Sequence, residues 1–347
     1  QINYASYETN TFNGIFSSDS EYLNLINLAR VKRISSLEQL DLNEHLSKVE
    51  RNKLEAIDIE IKNYKKTYGL IDFTDMLDKF LEKGSISNKL DVVFVDEAQD
   101  LSIIQWDVLN KIEKENSADI WVAGDDDQAI FGWAGADVDS FIDWEANEIP
   151  LQQSERVPSQ IQEIALSIIN RVQDNRLEKT YKPKKEKGEI FEVINLCDID
   201  MIKGTWLILA RTNPLLKPIS SILKNKGLFF KTVDGNSIAK NLYEDKLNWD
   251  KMRKGETIPE IQEQRLLEKI KGKPNLDLEW YDAFTNVASA KIDYLRVMLS
   301  NGEKINKDPR ITVSTIHSAK GGEATNVVLF LNQTTNTMKA SKKSVYK

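Results

Sequence analysis

The clearest hydrophobic pattern in the chain predicts two short parallel strands that each end in acidic residues. Residues 92–95 are apolar and are followed at once by Asp96 and Glu97, and the apolar run 120–123 is followed by an acidic sequence that begins at Gly124. Such runs are typical of strands buried on both faces of a parallel sheet. Because ligands bind at the carboxyl ends of these strands, the acids indicate either a metal–phosphate site or a solvated loop.

Helical periodicity prevails before and between these strands. The segment 49–68 predicts a long polar helix, and apolar residues at i, i+3, i+4, i+7 and i+8 within residues 72–81 predict a helix with one apolar face. Ser102 and Gln105 have the spacing of a capping box, which predicts a helix from there to about residue 112.

A second alternation of helices and strands begins near residue 150. Ser159 and Gln162 have capping-box spacing before a helix with a regular apolar face, and strands are predicted at 189–194 and 206–210. A further helix is predicted to begin at Asn213 and Pro214 and to end at Gly227.

The last third of the chain predicts charged helices and then a return to strands. The strands are predicted at 311–315 and 327–331, with a polar, glycine-containing turn between them, and residues after Asn332 form a polar, basic tail. The helical part, residues 235–309, is predicted to have an aromatic core of Trp249, Trp280, Tyr281, Phe284 and Leu295.

Composition and charge narrow the classes of protein that fit this α/β pattern. The chain has 347 residues, of which 41% are hydrophobic, so it can bury more than one core. A net charge of −7 argues against binding nucleic acid over the whole surface, although a strand held in a narrow groove is compatible with it. The basic stretches 182–187 and 269–273 are interpreted as solvated loops.

Two further features of the composition concern the cellular setting. No run approaches the roughly 20 apolar residues that cross a bilayer, and the first residues have no signal-peptide pattern, so no membrane partner is predicted. The single cysteine, Cys197, excludes an internal disulfide and a cysteine-based zinc site, which favours a reducing, cytoplasmic setting.

Four polar motifs carry a resemblance to a known family. Read in order they are Asp-Glu-Ala-Gln-Asp at 96–100, Gly-Asp-Asp-Asp-Gln-Ala-Ile-Phe-Gly-Trp at 124–133, Ser-Glu-Arg at 154–156 and Thr-Ile-His-Ser-Ala-Lys-Gly-Gly-Glu at 315–323. In this order they closely resemble the motifs of superfamily 1 DNA helicases of the UvrD/Rep type. The stretches 64–73 and 210–213 are similar to further segments of that family.

The resemblance implies an α/β fold with two RecA-like parallel-sheet domains of the P-loop NTPase type and helical insertions. The implied limits are 1–90 for a helical insertion subdomain and connection, 91–149 for the C-terminal part of an incomplete first RecA-like domain, 150–234 for the first part of the second, 235–309 for a helical insertion, and 310–347 for the continued, truncated second domain.

The resemblance also implies an ATP-dependent DNA helicase. Mg-ATP hydrolysis between the two domains would drive 3′-to-5′ movement on single-stranded DNA and the unwinding of duplex junctions. The implied setting is the cytoplasm of a bacterial or phage-infected cell, with replication or repair proteins as partners.

The nucleotide-site residues follow from the motif positions. Asp96 resembles the Mg²⁺ ligand, Glu97 the group that orients and activates water, and Gln128 the sensor of the γ-phosphate. Arg156 resembles an arginine that reaches the phosphates from the second domain. The full set implied by the resemblance is Asp96, Glu97, Gln128, Arg156, Lys320 and Glu323.

A second set of residues is implied to contact DNA. Trp133 resembles an aromatic residue that stacks on a base, although tryptophan beside glycine is also typical of a core position. Arg211, Thr212 and Asn213 fit a contact with backbone phosphate, and capping of the next helix explains them nearly as well. A lone histidine such as His317 is more often structural than functional. The full set is Phe131, Trp133, Arg211, Thr212, Asn213, Thr315 and His317.

The chain also departs from the family pattern. Glu155 stands where tyrosine is usual, which removes a stacking partner for adenine, and Ala134 and Gly322 replace an arginine and a leucine. These changes indicate a divergent, phage-like branch.

No Gly-x-x-x-x-Gly-Lys-Ser/Thr loop is present, and the last arginine-bearing motif of the family is not reached. We therefore expect a fragment that hydrolyses ATP poorly. The alternatives are a non-catalytic single-stranded-DNA-binding or clamp protein and the motor part of a helicase-nuclease.

Overall fold

The computed structural model describes residues 21–335 and 337–338, except residues 44, 45, 47 and 173–175. The chain divides into two compact units between Gly188 and Glu189. Each unit combines helices with parallel strands, which confirms the predicted α/β class at that level. The RecA-like character of two domains, and the predicted start of the second at residue 150, stay predictions. In the structure, residues 153–184 lie in the first unit.

The described residues of the first unit form seven α-helices, a parallel strand pair and a second, irregular strand pair. Its elements are α1 (Glu21–Val31), α2 (Ser36–Asp41), α3 (Arg51–Tyr68), α4 (Phe73–Lys83), β1 (Val92–Val95), α5 (Ile103–Asn116), β2 (Asp119–Val122), α6 (Val138–Ile142), β3 (Gln153–Pro158), α7 (Ser159–Ile169) and β4 (Lys182–Lys184).

The helices α1, α2 and α3 enclose a small core of their own. Its buried side chains include Leu25, Leu54 and Ile61, which lie on the inward faces of α1 and α3. α3 ends at Gly69, whose φ of 64° is the left-handed conformation that terminates helices. The predicted helices in this part of the chain are confirmed.

The strands β1 and β2 pair in parallel as predicted, with Val95 opposite Val122. Alternate residues of the pair pack against α5, where Trp106 is 3% exposed, whereas Phe94 on the other face is 78% exposed. The prediction that β1 is buried on both faces is therefore wrong for the described residues. A strand alternates its side chains between two faces, and here helices α5 and α6 cover only one of them.

The second unit is built around a five-stranded sheet. Its elements are β5 (Trp206–Ala210), α8 (Leu216–Asn225), β6 (Phe230–Thr232), β7 (Gly235–Asn236), α9 (Lys240–Arg253), α10 (Glu260–Leu267), α11 (Trp280–Ala283), α12 (Ser289–Ser300), β8 (Ile311–Thr315) and β9 (Asn326–Phe330). The strand order is β7-β6-β8-β5-β9, in which only β6 and β7 pair in the antiparallel sense.

One continuous core joins this sheet to helices α8 to α12. Ile208 and Val313 of the central strands are buried, and so are Trp249 and Phe284 of the helical part, whose rings meet edge to face at 6.0 Å. The predicted aromatic core is confirmed, with Tyr281 only partly buried at its margin.

Two local predictions are wrong. Residues 189–194 form no strand, and Phe191 and Ile194 are exposed. An apolar run predicts a strand only if a neighbouring strand is available to pair with it. The capping box at Ser159 does not form, because α7 already begins at Ser159 and Pro158 occupies the cap position without a side-chain hydrogen bond. Within the described part of the chain, no helix combines the length and the apolar character needed to cross a bilayer.

Candidate functional site

The two acidic strand ends of the first unit are joined by backbone hydrogen bonds. Ala123 N donates to Val95 O at 2.7 Å, and Ala98 N donates to Ala123 O at 3.0 Å. The register of β1 and β2 therefore places Asp96 and Glu97 beside the loop that starts at Gly124. This confirms that the two strand ends are neighbours.

Glu97 has an unusual backbone conformation. Its φ is 52°, which is uncommon for a residue other than glycine, and its N–H donates to Asp96 Oδ1 at 2.9 Å. Residues held in such conformations cost free energy and cluster at functional sites. Both carboxylates are exposed at the carboxyl edge of the strand pair.

Gln99 connects the two strand ends through its side-chain amide. It is 0% exposed, its Nε2 donates to Glu97 Oε2 at 2.7 Å, and its Oε1 accepts from Asp125 N at 3.0 Å. No role was predicted for Gln99 itself, since a glutamine inside an acidic motif carries no signal of burial.

Gln128 belongs to the same hydrogen-bonded group. It closes a 3₁₀ turn, Asp126–Gln128, and its Nε2 donates to Asp125 Oδ2 at 2.7 Å. The structure thus links Glu97 and Gln128, two of the three predicted catalytic residues of this unit, in the order Glu97, Gln99, Asp125, Gln128; the third, Arg156, is not part of this series.

The acids after Gly124 are contacted by residues 176–181, for which no role was predicted. Arg176 contacts Asp127 with Nε at 2.6 Å, and Lys179 Nζ lies 2.6 Å from Asp125 Oδ1. Nothing in the pattern of residues 176–181 indicates this contact, because the contacting residues are about fifty positions apart in the sequence.

Phe131 and Trp133 form an aromatic pair with ring centroids 6.4 Å apart. Phe131 is buried, whereas Trp133 is 40% exposed, so Trp133 presents the accessible ring of the pair.

Arg156 lies on β3 with an exposed side chain, and its backbone N–H donates to Ser154 Oγ at 3.3 Å.

In the second unit, the ends of β5 and β8 bring Arg211 and His317 together. Ala210 is paired with Thr315, and Arg211 Nη1 lies 3.0 Å from His317 Nε2 and 3.1 Å from Nδ1. Burial first, and the positive charge of Arg211 second, lower the pKa of His317 below its usual value. The imidazole is therefore neutral at pH 7.

The remaining predicted residues of this unit lie at the carboxyl ends of β5 and β8 and in the segments that follow them. Thr315 Oγ1 is engaged with Ser318 at 3.0 Å, and the buried Thr212 Oγ1 has no hydrogen-bond partner among the described residues. Asn213 begins a short 3₁₀ turn but neither it nor Thr212 caps it with a side chain. Lys320 is half-buried and Glu323 exposed in the turn after β8.

The donor set at Asp96 suits a magnesium ion that is shared with phosphate groups. Across the described ranges, no three His, Cys, Asp or Glu side chains form a group that would hold a metal ion alone. Mg²⁺ in phosphate sites needs only one or two protein carboxylates, because phosphate and water oxygens complete its octahedron. An exposed aspartate at a strand end meets that requirement.

Part of the chain, which includes the two acidic strand ends, is similar to known helicases. Residues 5–148 match the family model of the UvrD/REP helicase N-terminal domain. DNA helicase II of Haemophilus influenzae is 32% identical over 145 residues, which cover 38% of this chain and 20% of that protein. The ATP-dependent DNA helicase Rep of Buchnera aphidicola is 30% identical over 86 residues, covering 22% of this chain and 13% of that protein.

A longer match extends into the second unit. The ATP-dependent DNA helicase PcrA of Leuconostoc citreum is 23% identical over 239 residues, which cover 60% of this chain and 31% of that protein. The chain thus spans at most a third of the length of these relatives.

Proposed function

We propose that this chain, which is similar to helicases of the UvrD/Rep type over residues 5–148, acts as part of an ATP-dependent DNA helicase. In this proposal, hydrolysis of Mg-ATP drives 3′-to-5′ movement on single-stranded DNA and opens duplex junctions. The observation that supports it best is the hydrogen-bonded series Glu97, Gln99, Asp125 and Gln128, which holds two predicted catalytic side chains in one network.

The proposed roles follow the chemistry of each side chain. Asp96 would hold Mg²⁺, which neutralises phosphate charge when it is bound. Glu97 orients the attacking water and accepts its proton, and the amide of Gln99 fixes one carboxylate oxygen for that task. Gln128 donates to the γ-phosphate, and Arg156, Lys320 and Glu323 complete the nucleotide contacts.

The proposed DNA contacts divide between the two units. In the first, the exposed ring of Trp133 stacks on a base, and Phe131 supports it from the buried side. In the second, the guanidinium of Arg211 contacts backbone phosphate next to the neutral imidazole of His317, with Thr212, Asn213 and Thr315 around them. Cytoplasmic location and replication or repair partners belong to the same proposal.

The test is single-stranded-DNA-stimulated ATP hydrolysis by the full-length protein that contains this chain. Glu97→Gln keeps the size of the side chain but removes the proton acceptor, so we expect kcat to fall by roughly 10²- to 10⁴-fold, the usual contribution of a general base. Glu163→Gln, an exposed change on α7, is the matched control and should leave the rate unchanged.

If the Glu97→Gln protein hydrolyses ATP at the wild-type rate, the proposal that this chain is part of a helicase-type ATPase is wrong. DNA binding by a wild-type protein that hydrolyses no ATP would instead support a non-catalytic clamp.

A further inference from the structure

The acidic turn that carries Gln128 is held from outside by residues 176–181 of the same unit. Arg176 forms a bidentate salt bridge with Asp127, in which Nε donates to Oδ1 at 2.6 Å and Nη2 donates to Oδ2 at 3.0 Å. Lys179 Nζ contacts Asp125 Oδ1 at 2.6 Å and also bonds to Asp126 Oδ1. One cationic segment therefore reaches all three consecutive aspartates.

Two further donors complete this arrangement. The hydroxyl of Tyr181 lies 2.8 Å from Asp127 Oδ2 and 3.1 Å from Asp125 Oδ1, and the backbone N–H of Leu177 donates to Asp126 Oδ2 at 3.0 Å. Since a hydroxyl has one proton, Tyr181 serves one of the two carboxylates at a time.

Burial makes these contacts necessary. The side chains of Asp126 and Asp127 are only 2% and 8% exposed, and carboxylates withdrawn from water need cations or hydrogen-bond donors to stay charged. Burial alone would raise the pKa of Asp125, but the hydrogen bonds from Lys179 and Gln128 outweigh it and lower that pKa. Arg176 and Lys179 therefore offset most of the negative charge of the three acids, and these acids are not among any group that could hold a metal ion in the described part of the chain.

Asp125 is the point where this segment meets the proposed catalytic network. Its Oδ1 is held by Lys179, its Oδ2 accepts from Gln128, and its N–H donates to Gln99. Removing Lys179 would take a charged donor from Oδ1 and leave it with the longer contacts from the Tyr181 hydroxyl at 3.1 Å and the Asp127 N–H at 3.2 Å. The carboxylate, and with it the Gln128 amide, would then be held less firmly.

We propose that Lys179 and Tyr181 are positioning residues, which fix Asp125 and through it hold Gln128 in the orientation that meets the terminal phosphate of ATP. The inference rests on the proposed function of Gln128. Neither residue touches the nucleotide in this proposal, so their loss acts on the step that depends on the γ-phosphate and leaves the rest of nucleotide binding intact.

The test compares Lys179→Met and Tyr181→Phe with Lys185→Met, an exposed lysine of the following stretch, in the full-length protein. We expect kcat for DNA-stimulated ATP hydrolysis to fall by about 10-fold or more while KM changes by less than about 3-fold, because positioning acts on the transition state. Affinities for a fluorescent non-hydrolysable ATP analogue and for the matching ADP should both stay within about 3-fold of wild type, and Lys185→Met should resemble wild type.

A readout without nucleotide accompanies these measurements. Amide hydrogen exchange in residues 124–133 should be faster in Lys179→Met than in wild type, because the turn has lost its anchor. Lys179→Arg, which keeps the charge, should recover part of the protection and part of kcat. If Lys179→Met does not fold, Tyr181→Phe, which removes a single hydroxyl, decides the question.

Gln128→Ala separates the two hypotheses. If Gln128→Ala has full activity, the proposed function of Gln128 fails. If Gln128→Ala is impaired but Lys179→Met and Tyr181→Phe match wild type in kcat and in exchange, the positioning inference is overturned. Equal loss of ADP and ATP-analogue binding in Lys179→Met would also overturn it, since that result indicates a general structural role.

Discussion

The side-chain amide of Gln99 fills the space between the ends of β1 and β2, and Gly124 makes that space available. A Cβ atom at Gly124 would lie 2.5 Å from Gln99 Oε1 and 2.9 Å from the ring of Phe141. Gly124 has no positive φ, so the requirement for glycine comes from close approach and not from the backbone. A small residue at this position therefore determines how Glu97 and Asp125 are held.

We expect Gly124→Ala to push Gln99 away from this position. The change should lower the free energy of unfolding by about 1–3 kcal/mol, the usual effect of overpacking, and should also lower DNA-stimulated ATP hydrolysis. Gly132→Ala is the control, because nothing lies within 4 Å of its Cβ position, and its effect should stay within about 0.5 kcal/mol. Equal melting temperatures for both variants in thermal unfolding would contradict the close contact.

At the residue scale, the sequence predicted which polar side chains belong to the site better than it predicted their burial and contacts. It identified Glu97 and Gln128 as polar groups at strand ends, and the structure places both in one network. It did not identify Lys179 or the burial of Gln99, because both depend on contacts between distant positions that no local spacing encodes.

At the scale of elements, the start of α4 shows how the helices of the first unit are tied together. Asp72 caps α4 and forms a reciprocal capping box with Asp75. Arg30 of α1 donates to Asp72 Oδ2 at 2.7 Å and to Asp75 Oδ1 at 2.5 Å, and Lys65 of α3 contacts Asp75 at 2.8 Å. Two carboxylates thus join three helices, which stabilises their relative positions.

Arg30→Met tests this junction. It leaves two partly buried carboxylates with one cation, so we expect a loss of about 1–3 kcal/mol in the free energy of unfolding at pH 7. Arg51→Met breaks an exposed pair with Asp41 and should cost less than about 1 kcal/mol. Similar losses in the two variants would show that the Arg30 contacts are worth no more than a surface pair.

The stability that Arg30 contributes through Asp72 should decrease at low pH. Burial would raise the pKa of Asp72, but the hydrogen bonds from Arg30 and Lys65 prevail and hold it well below its usual value. A carboxyl with a lowered pKa in the folded state contributes stability above the unfolded pKa of about 4 and loses it as pH falls further. The difference between wild type and Arg30→Met, measured by urea unfolding, should therefore shrink below about pH 4.

The elements themselves were predictable where local patterns decide them. Capping at Ser102 and the helix end at Gly227 were identified from residue type and spacing, and the structure has both. The strand predicted at 189–194 failed because strand formation needs a paired neighbour, which is a property of the whole sheet. For the same reason β1 was correctly predicted as a strand, but the prediction that both of its faces are buried was wrong.

At the scale of the whole molecule, the two units differ in how their cores are built. The first has separate small clusters, one among α1 to α3 and another under β1 and β2. The second has a single core that runs from the sheet through Phe284 and Leu295 of the helical part. A unit with one continuous core of its own is expected to fold as a cooperative domain.

We therefore expect residues 189–338 to fold when expressed alone. Thermal unfolding followed by circular dichroism should show one cooperative transition. Tryptophan fluorescence, to which the buried Trp249 and Trp280 contribute, should change over the same temperatures. Phe284→Ala removes a fully buried ring and should destabilise this unit by about 3–5 kcal/mol. In the intact chain the same substitution should shift the transition of the second unit and leave that of the first unit in place.

Phe191→Ala is the control, since this ring is exposed in the same unit and should leave the transition nearly unchanged. A gradual, non-cooperative unfolding of residues 189–338, with binding of a hydrophobic dye at low temperature, would show that the core from the sheet to Phe284 is insufficient on its own. A single transition in the intact chain that Phe284→Ala moves as a whole would show that the two units unfold as one cooperative structure.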